Sequence, residues 1–322
     1  MTTANNKVSV IIPTYNRSEY VLEAIHSVVD QNYEPIEIIV IDDGSTDNTK
    51  EKLASLAERG VIRYIYQENQ GRSAARNKGI SSATGDYLAF LDSDDLFEPD
   101  KLVKQLEFFS RHPEVGLVHG GYVKFDTLNN DLGYRNPFWF SGWIYPKILL
   151  IWYTLLATPT VMVPKRVLDE VGGFDESLFI AEDLDLWRRI ARKHPFGYIN
   201  QSLAQIRMHA GNTSRDALQT TREFERYLEK AFQDDKNLST RFRNRVLSRL
   251  YTNQAYIMLS GRGSELMLAV RALARRAIAH DPLNVRGYTA FLSTALSYDS
   301  RAKLVERWRS LRGWLMTLNR KA

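Results

Sequence analysis

The chain of 322 residues contains no cysteine, which removes disulfides, thiolate metal sites and thiol nucleophiles from consideration. A reducing compartment is compatible with that composition. Long apolar runs are missing as well. The most hydrophobic stretch, "ILLIWYTLLA" from Ile148 to Ala157, is bounded by Lys147 and Pro159; at about ten residues it falls short of the roughly 20 that a membrane span needs. It reads as a core or acceptor-side helix, with insertion at a membrane interface as the lesser alternative. The opening "MTTANNKVSV" has no charged segment followed by an apolar one, so no secretory signal is expected. Neither a Walker lysine loop nor G-x-G-x-x-G occurs, which leaves simple phosphate-loop and dinucleotide sites without support. His26, His112, His119, His194 and His280 form no ligand spacing.

What is present is ordinary in bulk and uneven in detail. Apolar residues make up 44% and charged residues 25%, as in a soluble globular protein. The length suits two domains, or one with an appendage. Net charge is +5. The segment 301–322 carries seven Lys or Arg against one Glu, interleaved with Trp308, Leu311, Trp314, Leu315 and Leu318. That pattern predicts an amphipathic helix docked on the protein, with an anionic membrane surface as the alternative.

The first hundred residues alternate between strand and helix patterns. Apolar runs at Val8–Ile12, Ile36–Ile41, Val61–Tyr66 and Asp86–Leu91 predict four strands. Between them, Val21, Ile25, Val28 and Val29 share a helical face behind Ser18, a candidate N-cap. A second helix starts near Thr49 and closes at Gly60, and a third, "GRSAARNKGI", ends near Gly79. Such alternation predicts a largely parallel sheet covered on both faces. "VGLVHGGYVKF" reads as a strand pair, and "GWIYPKILLIWYTLLATPTVMV" as a helix leading into a strand. Helix, glycine turn and helix follow through "VPKRVLDEVGGFDESLFIAEDLDLWRRIARKHP". From about Asp216 the pattern is nearly all helical, and Arg275–Leu296 resembles one unit of a tetratricopeptide-type repeat.

In parallel α/β sheets, ligands bind outside the carboxyl ends of the strands. Here those ends carry "PTYNR", "DDGSTDN" and "DSDD". On extended backbone, Asp92 and Asp94 point to the same side of Ser93. Paired carboxylates suit a hard divalent cation that takes its other oxygens from phosphates and water. An EF-hand loop is excluded, because Phe97 falls where its glycine must be. Asp42 and Asp43 stand where such a fold meets a nucleoside, and Gly44 permits a tight turn.

Together "VSVIIPTYNR", "IIVIDDGSTDNT", "NQGRSAARNKGI", "GDYLAFLDSDD" and "GGFDE…AEDLDLWRR" resemble the family 2 glycosyltransferases. The resemblance spans about residues 7–215, with the motifs in the family's order and spacing. It implies the GT-A fold: an α/β, Rossmann-like, mostly parallel sheet sandwiched by helices, here with a C-terminal helical extension. Residues 1–110 would form the nucleotide-sugar-binding half, 111–215 the acceptor-binding half, and 216–322 the helical region.

The same resemblance implies roles. Pro13, Thr14 and Tyr15 would line the nucleoside pocket, with Arg17 and Ser93 among the donor contacts. Asp42 or Asp43 would bind the uracil or ribose, and Arg76 would approach the phosphates. Asp92 and Asp94 would be the DXD motif: Asp94 a direct ligand of Mn²⁺ or Mg²⁺, and Asp92 acting on the ribose or through water on the metal. His209 would be a further metal or phosphate contact. Asp183, preceded by Glu182, would be the catalytic base.

The implied activity is inverting, metal-dependent transfer of one sugar from a nucleotide-diphosphate donor, a UDP-sugar above all. The acceptor would be a hydroxyl of a glycan or lipid-linked molecule, as in cell-surface polysaccharide synthesis. The expected location is cytoplasmic, with peripheral contact to the inner face of a membrane through the basic C-terminus as the alternative. A non-catalytic nucleotide-sugar scaffold that uses its helical C-terminus for partners is the alternative. The Q-x-x-R-W motif of the family's processive synthases is missing, with Leu304 in the glutamine position of "LVERW". No nucleic-acid module is evident.

Overall fold

The structure is a computed structural model describing residues 6–135, 140–150, 156–209, 217–259 and 264–307. The chain divides into two compact units: described residues within 1–148 and 154–213, and those within 149–153 and 214–322.

The first unit opens with β1 (Val8–Thr14), α1 (Val21–Val29), β2 (Ile36–Asp43), α2 (Thr49–Glu58), β3 (Arg63–Gln67), α3 (Arg72–Ser82) and β4 (Tyr87–Phe90). It continues with β5 (Leu96–Phe97), α4 (Lys101–Arg111), β6 (Leu117–Asp126), β7 (Asp131–Arg135), β8 (Met162–Pro164), α5 (Lys165–Val171), α6 (Glu182–Lys193) and β9 (Phe196–Met208). The strands form one sheet in the order β3-β2-β1-β4-β8-β6-β9-β5, with β7 alongside β6. The first four strands in that order run parallel, β8 is antiparallel to β4, and β6 and β9 are again parallel. This is the helix-covered α/β sandwich that the strand–helix alternation predicts.

Alternation along β1 assigns the two faces. Val8, Val10 and Ile12 pack with Ile25 and Val28 of α1, Leu53 of α2 and Leu102 and Phe109 of α4. Ile11 points the other way, towards α3. Gly79 lies inside α3 rather than at its end, because a Cβ there would stand 2.3 Å from Ile11 Cγ2. Only a glycine lets α3 lie this close to β1.

Other local expectations shift. Ser18 is not the cap of α1: the helix begins beyond Tyr20, and the Ser18 amide donates to Asp47 Oδ2 at 3.2 Å. Gly60 does close α2, at φ +70°, with Val61 N–H donating to Leu56 O and Gly60 N–H to Ala57 O. "VGLVHGGYVKF" is a single strand whose register against β9 shifts around Gly120 and Gly121. The "GWIYPKILL…" segment contains short 3₁₀ turns at Lys147–Leu150 and Thr158–Thr160, and 151–155 lie outside the described residues.

The second unit holds α7 (Ala217–Asp234), α8 (Thr240–Leu259), α9 (Ser264–His280) and α10 (Val285–Ser293). The repeat-like segment is the end of α9, a turn and α10. Among the described residues no helix is long and apolar enough to cross a membrane. The basic segment from Trp308 onward lies outside the described residues.

Candidate active site

A cleft of about 560 Å³ opens at the carboxyl ends of β1, β2 and β4. Pro13, Thr14, Tyr15, Arg17, Asp43, Arg76, Asp92, Ser93 and Asp94 all line it, joined by Asn69, Gly71, Arg72, Ala75, Asp95, Phe179 and Ile206. The acidic turn named in the sequence therefore stands beside the β1 and β2 loops in one concavity.

The walls are tied by specific bonds. Asn16, left-handed at φ +51°, accepts the Thr46 amide at 2.8 Å, and its own amide donates to Ser45 Oγ at 3.0 Å. Asp42 and Asp43 diverge, as neighbours on a strand must. Asp42 is 1% exposed; it accepts the Tyr64 hydroxyl at 2.6 Å and the Ser45 amide at 2.8 Å, and it does not line the cleft. Asp43 does line it. Its carboxylate accepts Gln67 Nε2 and the amides of Gln70 and Gly71, which fastens the loop before α3. Gly44, at φ +81°, lets that loop approach: a Cβ there would meet Asn69 N at 2.8 Å.

The stretch Asp92–Asp95 is a turn, not extended backbone, with Asp95 N–H donating to Asp92 O at 3.0 Å. The turn fans the three carboxylates apart. Asp92 accepts Arg76 Nη2 at 2.7 Å. Asp94 Oδ2 stands 2.9 Å from His209 Nε2 and 3.6 Å from Arg17 Nε. Asp95 is buried beneath them and accepts the Arg207 amide at 2.9 Å. Burial, with the charges of Asp92 and Asp94 beside it, pushes the Asp95 carboxyl well above the usual range, and Arg207 opposes the shift.

The metal set expected from the resemblance, Asp92, Asp94 and His209, does not assemble as three. Among the described residues no group of three or more His, Asp or Glu could hold a metal ion. Asp92 is paired with Arg76 instead. What remains is one carboxylate and one imidazole converging at the cleft. That donor pair fits a divalent cation whose other oxygens come from phosphates and water.

Arg76, 3% exposed, is the hub of the cleft wall. Its Nη1 reaches Glu182 Oε1 at 3.1 Å while its Nη2 holds Asp92, and Arg72 Nε lies 3.4 Å from the same Glu182 oxygen. Burial by itself would lower the guanidinium's pKa; the charges of Asp92 and Glu182 outweigh it and hold it above the ordinary value. Next to Glu182, the Asp183 carboxyl is pushed up to about 7, by burial first and by the Glu182 charge second. Its Oδ1 accepts the Leu184 amide at 2.7 Å. Neither Glu182 nor Asp183 is among the residues lining the cleft; Glu182 pairs with both Arg72 and Arg76 at its wall. Ala181, just before them, is held at φ +69°, which costs an L-residue roughly 1–2 kcal/mol. This left-handed residue immediately precedes Glu182, which reaches Arg76.

Sequence reasoning missed Arg207. It is 2% exposed and lies between the rings of Tyr20 and Phe125, its Cζ 4.8 and 4.4 Å from their centroids. Its Nε donates to Asp94 O at 3.0 Å and its Nη2 pairs with Glu23 at 2.7 Å. Tyr20 also stacks on His209. The signal was present in "RMH": on a strand, Arg207 and His209 share a face, but β9 itself was not predicted.

The model for glycosyl transferase family 2 matches residues 9–163. An uncharacterized glycosyltransferase of Rickettsia typhi is 34% identical over 226 residues, covering 68% of this chain and 69% of that protein. The chain belongs to glycosyltransferase family 2. A second such protein, from Rickettsia felis, is 40% identical over 213 residues, 66% of this chain but 35% of that protein. The chain thus spans about a third of that longer relative. Chondroitin synthase of Escherichia coli is 31% identical over 219 residues, 67% of this chain and 31% of that protein. Among solved structures, S. aureus TarS 1-349 in complex with UDP-GlcNAc has a TM-score of 0.66 at 18% identity, over 94% of this chain and 92% of that one. The mannosyltransferase PcManGT of Pyrobaculum calidifontis, in complex with GDP-Man and Mn²⁺, has a TM-score of 0.57 at 17% identity, over 92% and 88% of the two chains. At these identities the likeness is one of fold, the GT-A glycosyltransferase fold.

Proposed function

We propose that the cleft binds a nucleoside-diphosphate sugar, a UDP-sugar above all, and that the enzyme transfers its sugar with inversion to a hydroxyl of a glycan or lipid-linked acceptor. One observation carries the reading. A single guanidinium, Arg76, bridges the Asp92 side of the cleft, where the Asp94–His209 pair stands, to Glu182, the neighbour of a carboxyl poised near neutrality.

Each residue then has work suited to its chemistry. Breaking the sugar–phosphate bond leaves negative charge on the departing diphosphate, and Arg17, Arg72 and Arg76 line the cleft where they can donate charge-assisted hydrogen bonds to it. Asp94 and His209 would hold Mn²⁺ or Mg²⁺, which when bound supplies Lewis-acid stabilisation of that leaving group. Asp183, with its pKa raised to about 7, can take the proton of the attacking hydroxyl. Glu182, paired with both Arg72 and Arg76, keeps those cations oriented. Attack opposite the leaving group inverts the anomeric carbon in a single displacement. Asp43, Thr14 and Tyr15 would meet the nucleoside, while Asp42 shapes the loop beneath them.

The neighbours support a nucleotide-sugar donor, since TarS is in complex with UDP-GlcNAc and PcManGT with GDP-Man and Mn²⁺. Similarity to chondroitin synthase supports a glycan acceptor. In this reading residues 1–110, together with His209, serve the donor, and the rest of 111–215 faces the acceptor. A lipid-linked acceptor would bring the chain to the cytoplasmic face of a membrane.

The test is release of nucleoside diphosphate from a panel of UDP- and GDP-sugars, with Mn²⁺ and with EDTA. Turnover is expected with one nucleotide class, only with metal, and reduced about 100-fold or more in Asp183→Asn, the scale of a lost general base. Donor binding without turnover, indifferent to Asp183→Asn, would establish the scaffold reading instead.

A further inference from the structure

The α10 helix is built with its large apolar residues outward. Gly287, Ala290 and Ser293 are its buried positions, and a Cβ on Gly287 would stand 3.1 Å from Ile278 Cγ1 and 3.5 Å from Ala277 Cβ. Small residues thus bring α10 close against α9. On the opposite side Val285, Tyr288 and Leu292, spaced i, i+3, i+7, share one face. They are 74%, 44% and 68% exposed, and Leu283 and Leu296 extend the stripe at either end. An amphipathic helix in a soluble fold ordinarily turns such residues inward. No described residue covers them.

The charge around the stripe has one dominant sign. Between Glu265 and Leu296 there are four arginines against two acids. Arg275 lies over the Phe291 ring at 5.4 Å and Arg271 donates to Thr294 Oγ1 at 2.7 Å, so both guanidinium groups run along the flank of α10. Arg286 follows Val285 on the helix itself. The bias extends beyond this hairpin. Residues 214–322 carry 21 Lys or Arg against 10 Asp or Glu, whereas the rest of the chain carries 22 against 28. The basic surplus of the protein therefore resides in its helical unit.

We propose that the outward face of α10, flanked by Arg271, Arg275 and Arg286, is a docking surface for an anionic lipid membrane. An apolar stripe inserts at the boundary of headgroups and acyl chains while flanking cations meet lipid phosphates, and neither contribution alone gives stable attachment. A protein partner would need acidic side chains around an apolar groove; a lipid surface supplies both features without a shaped complement. This inference is separate from the basic segment 301–322, whose sequence pattern admits a membrane surface only as an alternative, and it does not depend on the catalytic reading.

The experiment is co-sedimentation of the intact chain with vesicles of phosphatidylcholine alone, and of phosphatidylcholine with 30% phosphatidylglycerol as the probe, at low and high salt. Binding to the anionic vesicles is expected to exceed binding to the neutral ones by tenfold or more and to weaken with salt. Leu292→Asp and the pair Arg271→Glu/Arg275→Glu are each expected to cut it about tenfold. Leu292→Ser serves as a second, milder stripe variant, and thermal melting of each variant confirms folding. Absence of anionic-vesicle binding by the intact chain would overturn the proposal. So would binding that survives both the stripe and the arginine variants, or a dimer in sedimentation velocity that Leu292→Asp dissociates while vesicle binding is unchanged. Turnover of nucleotide sugar, measured without vesicles, is expected to be unaltered in these variants, so failure here and failure of the catalytic reading are read separately.

Discussion

At the scale of single residues, Asp183 makes the sharpest statement. Its carboxyl is raised to about 7 in the folded chain by burial and the Glu182 charge, against about 3.9 unfolded. The folded state therefore binds more protons between these values, so this group's contribution to stability falls as pH rises from about 4 to about 7. Asp183→Asn removes that penalty and is expected to raise Tm at pH 8 relative to the parent, with the gain vanishing near pH 4. In the proposed role as base Asp183 must be ionised for turnover, so the parent's activity should rise with pH along a limb centred near 7. An activity plateau extending down to pH 5 would refute the base assignment. Arg207 carries the second residue-scale expectation. Its guanidinium donates to the Asp94 carbonyl and its main-chain N–H to the Asp95 carboxylate, while Glu23 and Tyr20 hold the guanidinium. Groups that orient a metal ligand typically matter 10–100-fold in metal affinity. Arg207→Gln is thus expected to weaken Mn²⁺ binding in the presence of UDP by about that factor, with Glu23→Gln weaker in effect. Equal affinity in both variants would assign Arg207 to folding alone.

At the scale of elements, the sequence was most legible where apolar period and punctuation agree. The four N-terminal strands, the closure of α2 at Gly60 and the place of the acidic cluster behind β4 follow from β-branched runs, a left-handed glycine and a polar strand end, whereas the turn that the cluster adopts does not. Boundaries failed where a contact distant in sequence decides: Ser18 is drawn to Asp47 instead of capping α1, and Gly79 serves Ile11 instead of ending α3. The long β9 strand was hidden because Asn200, Gln201 and Ser202 interrupt its alternation, where its register with β6 shifts at Gly120 and Gly121. Missing β9 meant missing Arg207. The Gly79 contact gives a direct test. Gly79→Val forces α3 away from β1, and overpacking of this kind costs about 1–3 kcal/mol. Because α3 carries Arg72 and Arg76, the variant should lose donor affinity together with Tm. A change below about 0.5 kcal/mol in urea denaturation would mean that α3 and β1 are not packed this closely.

At the scale of the whole molecule, the family was legible because five motifs stand in order along residues 7–215, and the family match covers 9–163. The division of labour within the site was not, because it depends on partners that no local pattern names. Asp42 is bonded to Tyr64 and is not among the cleft-lining residues, the β3–α3 loop secures Asp43 in the cleft wall, and Asp92 pairs with Arg76 while Asp94 faces His209 and Arg17. In the proposed function the cleft takes a nucleoside diphosphate and a divalent cation together, with Asp94 and His209 on the cation. A ligand at 100 times its Kd adds about 2.7 kcal/mol of stability, so UDP or GDP with Mn²⁺ should raise Tm more than either component alone. The most direct measurement is electron paramagnetic resonance titration of Mn²⁺ with the intact chain, with and without nucleoside diphosphate. Saturable binding that requires the nucleotide, and that weakens tenfold or more in Asp94→Ala, is the expected result. Binding that ignores the nucleotide, or an Asp94→Ala variant that binds as the parent does, would contradict it.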